Sequence, residues 1–127
     1  MKAFLTNRGP KAIGPYSTAM IHGGLAYLSG MLPIDPATGT LVADDVQAAA
    51  RQALQNIAAV LEEMGSGMER CVKVTVYMRE MDDFAAVNTI YQQYFGSDYP
   101  ARSAVQVARL PMDAPLEIEV IAALDAE

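Results

Sequence analysis

From Asp45 to Met64 the apolar residues Val46, Ala50, Ala53, Leu54, Ile57, Val60, Leu61 and Met64 recur at three- and four-residue spacing. That period belongs to one face of a helix and to no strand. Asp44 or Asp45 predicts the N-cap, because a short carboxylate can accept from the free N–H groups of a first helical turn. Gly65 stands where a left-handed C-terminal cap belongs. A helix with so broad an apolar stripe must be laid on another apolar surface. Two later segments offer one. CVKVTVYM, Cys71 to Met78, is expected to carry Val72, Val74, Val76 and Met78 on one side of a strand. LEIEVIAAL, Leu116 to Leu124, alternates Leu116, Ile118, Val120 and Ala122 against Glu117, Glu119 and Ile121.

The remaining elements follow the same rules. Asp82 or Asp83 predicts the cap of a second helix through Phe95, with Phe84, Val87, Tyr91, Tyr94 and Phe95 as its apolar stripe and Gly96 as its end. PARSAVQVARLP, Pro100 to Pro111, is a proline turn followed by a strand-like alternation. Ser17–His22 and Leu25–Ser29 are strand-like, and the Gly23-Gly24 link between them suits a hairpin turn with positive φ at both positions. MLPIDPATGTL, residues 31–41, reads as loop. No repeat or linker interrupts the chain, so one domain is expected over residues 1–127. The order hairpin, helix, strand, helix, strand, strand predicts an α+β fold, a mixed sheet with two helices on one face. Lys73, Thr75, Gln106, Glu117 and Glu119 then fall among apolar groups on the other face, where subunits can meet and leave clefts.

Composition narrows the partners. Hydrophobic residues make up 52% and charged residues only 19%, an apolar excess that predicts subunit contacts and a homo-oligomer. A net charge of −6, with nine Lys and Arg residues scattered, argues against nucleic acid. One cysteine excludes an intrachain disulfide framework and fits a reducing compartment. No apolar run approaches a membrane span, and no signal-peptide hydrophobic region opens the chain. The expectation is a cytoplasmic protein without a membrane partner.

A single His and a single Cys, without acids at ligand spacing, do not make a standard zinc or iron site, so no metal is expected. His22 reads as a solvated hairpin residue and Cys71 as a small buried hydrophobe with no base to ionise it. The glycines match no phosphate-binding fingerprint, and the GSG at 65–67 follows a helix rather than opening one. Four features remain. Arg102 enters its strand beside small Ser103 and Ala104, with no acid nearby, and a guanidinium can hold a carboxylate through two parallel hydrogen bonds. Glu117 alternates away from its strand's apolar face and could orient a water or accept a proton. Asn88 lies on the apolar stripe of the second helix, where an amide needs partners. IGPYS turns the chain and presents Tyr16. On the residues alone, each keeps a plainer reading: a surface charge, a solvent-facing strand residue, a structural amide and a packing aromatic.

PARSAVQVARLPMDAPLEIE, however, resembles the signature region of the RidA (YjgF) family. KAIGPYS, LSG before a Pro-Ile-Asp-Pro loop, ALQNIAAVLEEMG, VKVTVYM and DFAAVNTIYQQYF resemble further family segments in the same order, over nearly the whole chain. The resemblance implies a chorismate-mutase-like fold and a homotrimer with active sites between subunits. The implied activity is cofactor-free hydrolysis of reactive 2-imino or enamine acids to 2-keto acids and ammonia, a metabolite-detoxifying deaminase reaction. It implies that Arg102 clamps the substrate carboxylate, that Glu117 positions the attacking water, and that Tyr16, Ser29, Gly30, Asn88 and the backbone at Ala104 line the pocket. Ala104 stands where many members have cysteine, so no thiol is available. Met31 stands where glutamine is common, which predicts a more apolar rim. Two other readings remain: a non-enzymatic trimer that binds small carboxylates or acts as a chaperone-like surface, and a mutase on the same architecture.

Overall fold

The structure, a computed structural model, describes residues 1–124, so the last three residues of the expected domain lie outside it. Helix α1 (Val46–Glu63) forms where the spacing predicts. Asp45 caps it by accepting from the Gln47 N–H at 3.3 Å, and Gly65 closes it at φ +79°. Its stripe of Ala50, Ala53, Leu54, Ile57, Val60 and Leu61 is buried against a six-stranded sheet. In sequence order these strands are β1 (Lys2–Phe4), β2 (Ala19–His22), β3 (Leu25–Leu28), β6 (Cys71–Met78), β7 (Ala101–Gln106) and β8 (Leu116–Ala123). Their spatial order is β1-β2-β3-β8-β6-β7. Every pairing is antiparallel except β6 with β7, which helix α2 (Phe84–Phe95) connects as a crossover.

Strand β8 is central, and its alternation decides the layers. Leu116, Ile118, Val120 and Ala122 are buried beneath the helices, while Glu117, Glu119 and Ile121 face the uncovered side. The β2–β3 hairpin turns at Gly23 and Gly24 with φ of 61° and 76°, as the Gly-Gly link predicts.

The structure differs from the sequence reading in six places. Asp83 precedes α2 without a side-chain cap bond, and Gln106, beside buried Met78 in the parallel pairing, lies on the helix side, where it accepts from the Met81 N–H at 2.7 Å. Lys2–Phe4 add an edge strand on β2, too short to show a period. Ser17 and Ser29 lie outside the hairpin strands; the Ser29 hydroxyl instead donates to the Ser17 carbonyl at 2.7 Å. Residues 31–41 are not all loop, because β4 (Ile34–Asp35) pairs with β5 (Thr40–Leu41) in a small separate hairpin. The buried amide of Asn56, 2% exposed, fastens that hairpin to α1 by donating to the Ile34 carbonyl at 2.8 Å. Val72 leaves the apolar side of β6 and is exposed, because the register slips between Cys71 and Lys73.

The chain ahead of β2 is pinned across the end of α1. The Thr6 hydroxyl donates to Glu63 Oε1 at 2.6 Å and accepts from the Arg8 and Gly9 N–H groups at 3.1 and 2.9 Å. The Asn7 N–H donates to Glu63 Oε2 at 2.7 Å. Burial works to raise the Glu63 carboxyl, but the Thr6, Asn7 and Arg8 hydrogen bonds outweigh it and hold the group below its ordinary 4.5. Thr6→Val keeps the side-chain shape and strands two N–H groups, so a loss of about 1–3 kcal/mol is expected by urea denaturation. A depressed carboxylate stabilises the fold above its unfolded-state pKa and loses that contribution as pH falls through the folded-state value. The melting temperature is accordingly expected to fall on acidification below about pH 4.5, and to fall less steeply in Glu63→Gln.

Candidate functional site

Two clefts carry the polar side chains singled out in the sequence. The first forms around Glu117. In the β6–β8 register Glu117 lies opposite Tyr77, on the uncovered face of the sheet. Met31 and Ile118 exchange both backbone hydrogen bonds, at 2.7 and 3.1 Å, which draws Gly30 alongside Glu117. There is no room there for a side chain: a methyl on Gly30 would lie 2.8 Å from Glu117 Cδ and overlap Oε2. Tyr16 joins the cleft on a tight turn closed by its own N–H to the Gly14 carbonyl at 2.8 Å. Ser29, Ile13, Leu32 and Met112 complete the lining. Burial, and secondly the charge of Glu119, raise the Glu117 carboxyl above its ordinary 4.5. Glu119 is itself occupied, accepting from the Tyr77 hydroxyl at 2.7 Å.

The second cleft forms around Arg102. In the parallel pairing Arg102 lies beside Val74, a buried residue of the helix-covered face, so its side chain leaves on the side of α2. There the guanidinium carbon sits 4.6 Å from the Tyr91 ring centre and 5.1 Å from that of Phe84. One guanidinium nitrogen, Nη1, donates to Asn88 Oδ1 at 2.7 Å. Among the described residues no carboxylate comes within ion-pair distance of Arg102. Tyr99 and Pro100 border the opening. The Tyr91 hydroxyl beneath is buried without a hydrogen-bond partner, and burial pushes its phenol up to about 12.

The structure thus groups Tyr16, Ser29, Gly30 and Glu117 in one cleft, and Arg102 with Asn88 in the other. It does not bring Arg102 and Glu117 together within one chain, because they leave opposite faces of the sheet. Ala104 follows Arg102 on the same side, packs partly buried against the core, and borders neither cleft. Met31 is only 6% exposed and packs with the core, and it also borders a small pocket beside this cleft with Ile13, Tyr16 and Leu32. Burial, and then the charge of Glu69, push the Cys71 thiol up to about 12, which leaves it a packing residue. Sequence reasoning assigned Phe84 and Tyr91 to the apolar stripe and missed their place under the guanidinium. Their spacing with Asn88 on one helix face was the available signal.

The sequence model of the family described as endoribonuclease L-PSP matches residues 6–124. The chain belongs to the RidA family. A RutC family protein of Pyrococcus horikoshii is 47% identical over 121 residues, covering 95% of this chain and 96% of that one. The 2-iminobutanoate/2-iminopropanoate deaminase of Salmonella typhimurium is 45% identical, with 95% and 96% covered. Among solved structures, TdcF of Escherichia coli with bound serine superposes with a TM-score of 0.92 at 41% identity, covering 98% of this chain and 100% of that one. The α+β architecture, two helices on a mixed sheet, is therefore that of the RidA family.

Since Gly30 is not in the left-handed region, Gly30→Ala is expected to fold. Its methyl displaces the Glu117 carboxylate toward water, so the carboxyl 13C titration of Glu117 should move down toward 4.5. An unchanged titration would show that the carboxylate does not depend on this contact.

Proposed function

We propose that the protein hydrolyses reactive 2-imino acids to 2-keto acids and ammonia, at sites shared between copies of the chain in a homotrimer. The observation that carries this reading is the separation of two complementary half-sites. Arg102 offers a guanidinium fixed by an amide and two rings; Glu117 offers a carboxylate of raised pKa, on the opposite face. A small amphoteric substrate needs both groups, and a second copy would supply the missing one. The naming of the Salmonella relative and the serine held by TdcF support the substrate class. The net charge of −6, with nine scattered Lys and Arg residues, disfavours RNA.

The chemistry asks little of the protein. Arg102 spends one donor on Asn88, and its remaining N–H groups pair with the substrate carboxylate. The imine carbon is already electrophilic, so holding a water against it supplies most of the acceleration. Glu117 accepts the proton of that water as its oxygen bonds to the imine carbon, and returns it to the nitrogen. Glu117 next takes the proton of the new hydroxyl and passes it to the departing nitrogen as the C–N bond breaks, so ammonia leaves and the carbon becomes the keto carbonyl. A carboxylate of raised pKa suits both transfers. No metal and no organic cofactor enters these steps. TdcF with bound serine also favours a second reading, a trimer that binds small carboxylates without turnover.

With the imine of 2-ketobutanoate generated in situ, Arg102→Ala is expected to lower kcat/KM roughly 30-fold or more. Glu117→Gln is expected to remove the water-directed step. Co-refolding the two inactive variants in equal amounts should restore about a quarter of the wild-type sites, since a shared site draws one residue from each copy. No recovery would overturn the shared site; tight 2-ketobutanoate binding without turnover would favour the second reading. Because Glu117 must be ionised, activity should fall as pH drops through a value above 4.5, and Glu119→Gln should move that limb downward.

A further inference from the structure

The lining of the Glu117 cleft is part polar and part apolar, and two of its large apolar side chains are ones the fold itself does not bury. Ile13 is 82% exposed and Met112 is 53% exposed, yet these residues, remote in sequence, line the same cleft with Leu32. Large apolar side chains left in water and converging on one cleft mark a binding surface. The Met112 backbone sharpens the point. Met112 and Asp113 both have positive φ, 59° and 53°, a conformation that glycine adopts freely and that costs other residues stability. Arg79 holds this turn. Its Nη1 donates to the Asp113 carbonyl at 2.7 Å and lies 3.5 Å from Asp113 Oδ2, while its N–H bonds the Pro115 carbonyl at 3.0 Å. Glycine would serve the turn better, and what methionine adds is a side chain over the Glu117 cleft.

We infer that Ile13 and Met112 form the subsite for the substrate side chain and select 2-imino acids whose side chains are apolar and larger than ethyl, such as isobutyl or thioether chains. This rests on the reading of Glu117 as the group that positions the water. The reacting carbon carries three substituents: nitrogen, carboxylate and side chain. The carboxylate goes to a guanidinium, and the nitrogen lies with the water near Glu117 and Ser29. The side chain is left facing Ile13, Leu32 and Met112. An unbranched thioether adapts to several apolar shapes, so the selection is by size and polarity rather than by one fixed outline.

The test compares imines of leucine, methionine and alanine, each made in situ by an amino-acid oxidase. Wild type should favour the leucine- and methionine-derived imines over the alanine-derived one by roughly 10-fold or more in kcat/KM. Met112→Ala and Ile13→Ala should each collapse most of that ratio. Met112→Gly relieves the strained turn, so its melting temperature should stay level or rise while the ratio still collapses. A wild-type preference for the smallest imine, or equal losses on all three substrates, would overturn the proposal. If no imine is hydrolysed, the failure lies with the catalytic reading, and calorimetry still decides this one. Wild type should bind 4-methyl-2-oxopentanoate more tightly than pyruvate, and Met112→Gly should erase the difference; equal binding by wild type would reject the subsite.

Discussion

Strand β8 pairs with β3 on one side and β6 on the other, and its even-numbered residues form the floor on which α1 lies. Side chains alternate along a strand with a period of two, so burying Leu116, Ile118, Val120 and Ala122 commits Glu117 and Glu119 to the opposite face. A slip of one residue would bury two carboxylates under the helices, at a penalty no nearby cation offsets. The same register fixes Met31 against Ile118, and through it the fit of Gly30 against the Glu117 carboxylate. The catalytic carboxylate of the proposed function is thus placed by the packing of its neighbours.

Arg102 is held by different physics. It sits on edge strand β7, and two aromatic faces and an amide oxygen support it without neutralising it. A carboxylate in that place would consume the charge; rings and an amide orient the guanidinium and leave donors for a ligand. The supporting groups all come from α2, the crossover that makes β7 parallel to β6. Topology and the proposed anion site are therefore one construction.

Much of this was legible in the residues. The helix from Val46 could be read from its spacing, the turn at Gly23-Gly24 from its need for positive φ, and the layers from the alternation of β8. The bulge after Cys71, the β4–β5 hairpin and the edge strand at Lys2–Phe4 were not, since each is too local to leave a period. Arg102 and Glu117 could be named as candidates, but Phe84 and Tyr91 counted only as core-facing residues. Met31 could be read as a rim residue, but not its backbone pairing with Ile118, which also packs it against the core. The place of Met112 over the cleft depends on a backbone conformation that residue type does not reveal.

By itself the sequence determined which residues could be buried, where helices begin and end, and which few side chains were free for chemistry, because periodicity and capping are local properties. Only the tertiary structure decided which of those side chains meet. Strand order and register put Arg102 and Glu117 on opposite faces of one sheet. A pairing between strands distant in sequence carries no signature in either strand alone, and it is this pairing that sets the two clefts on opposite faces.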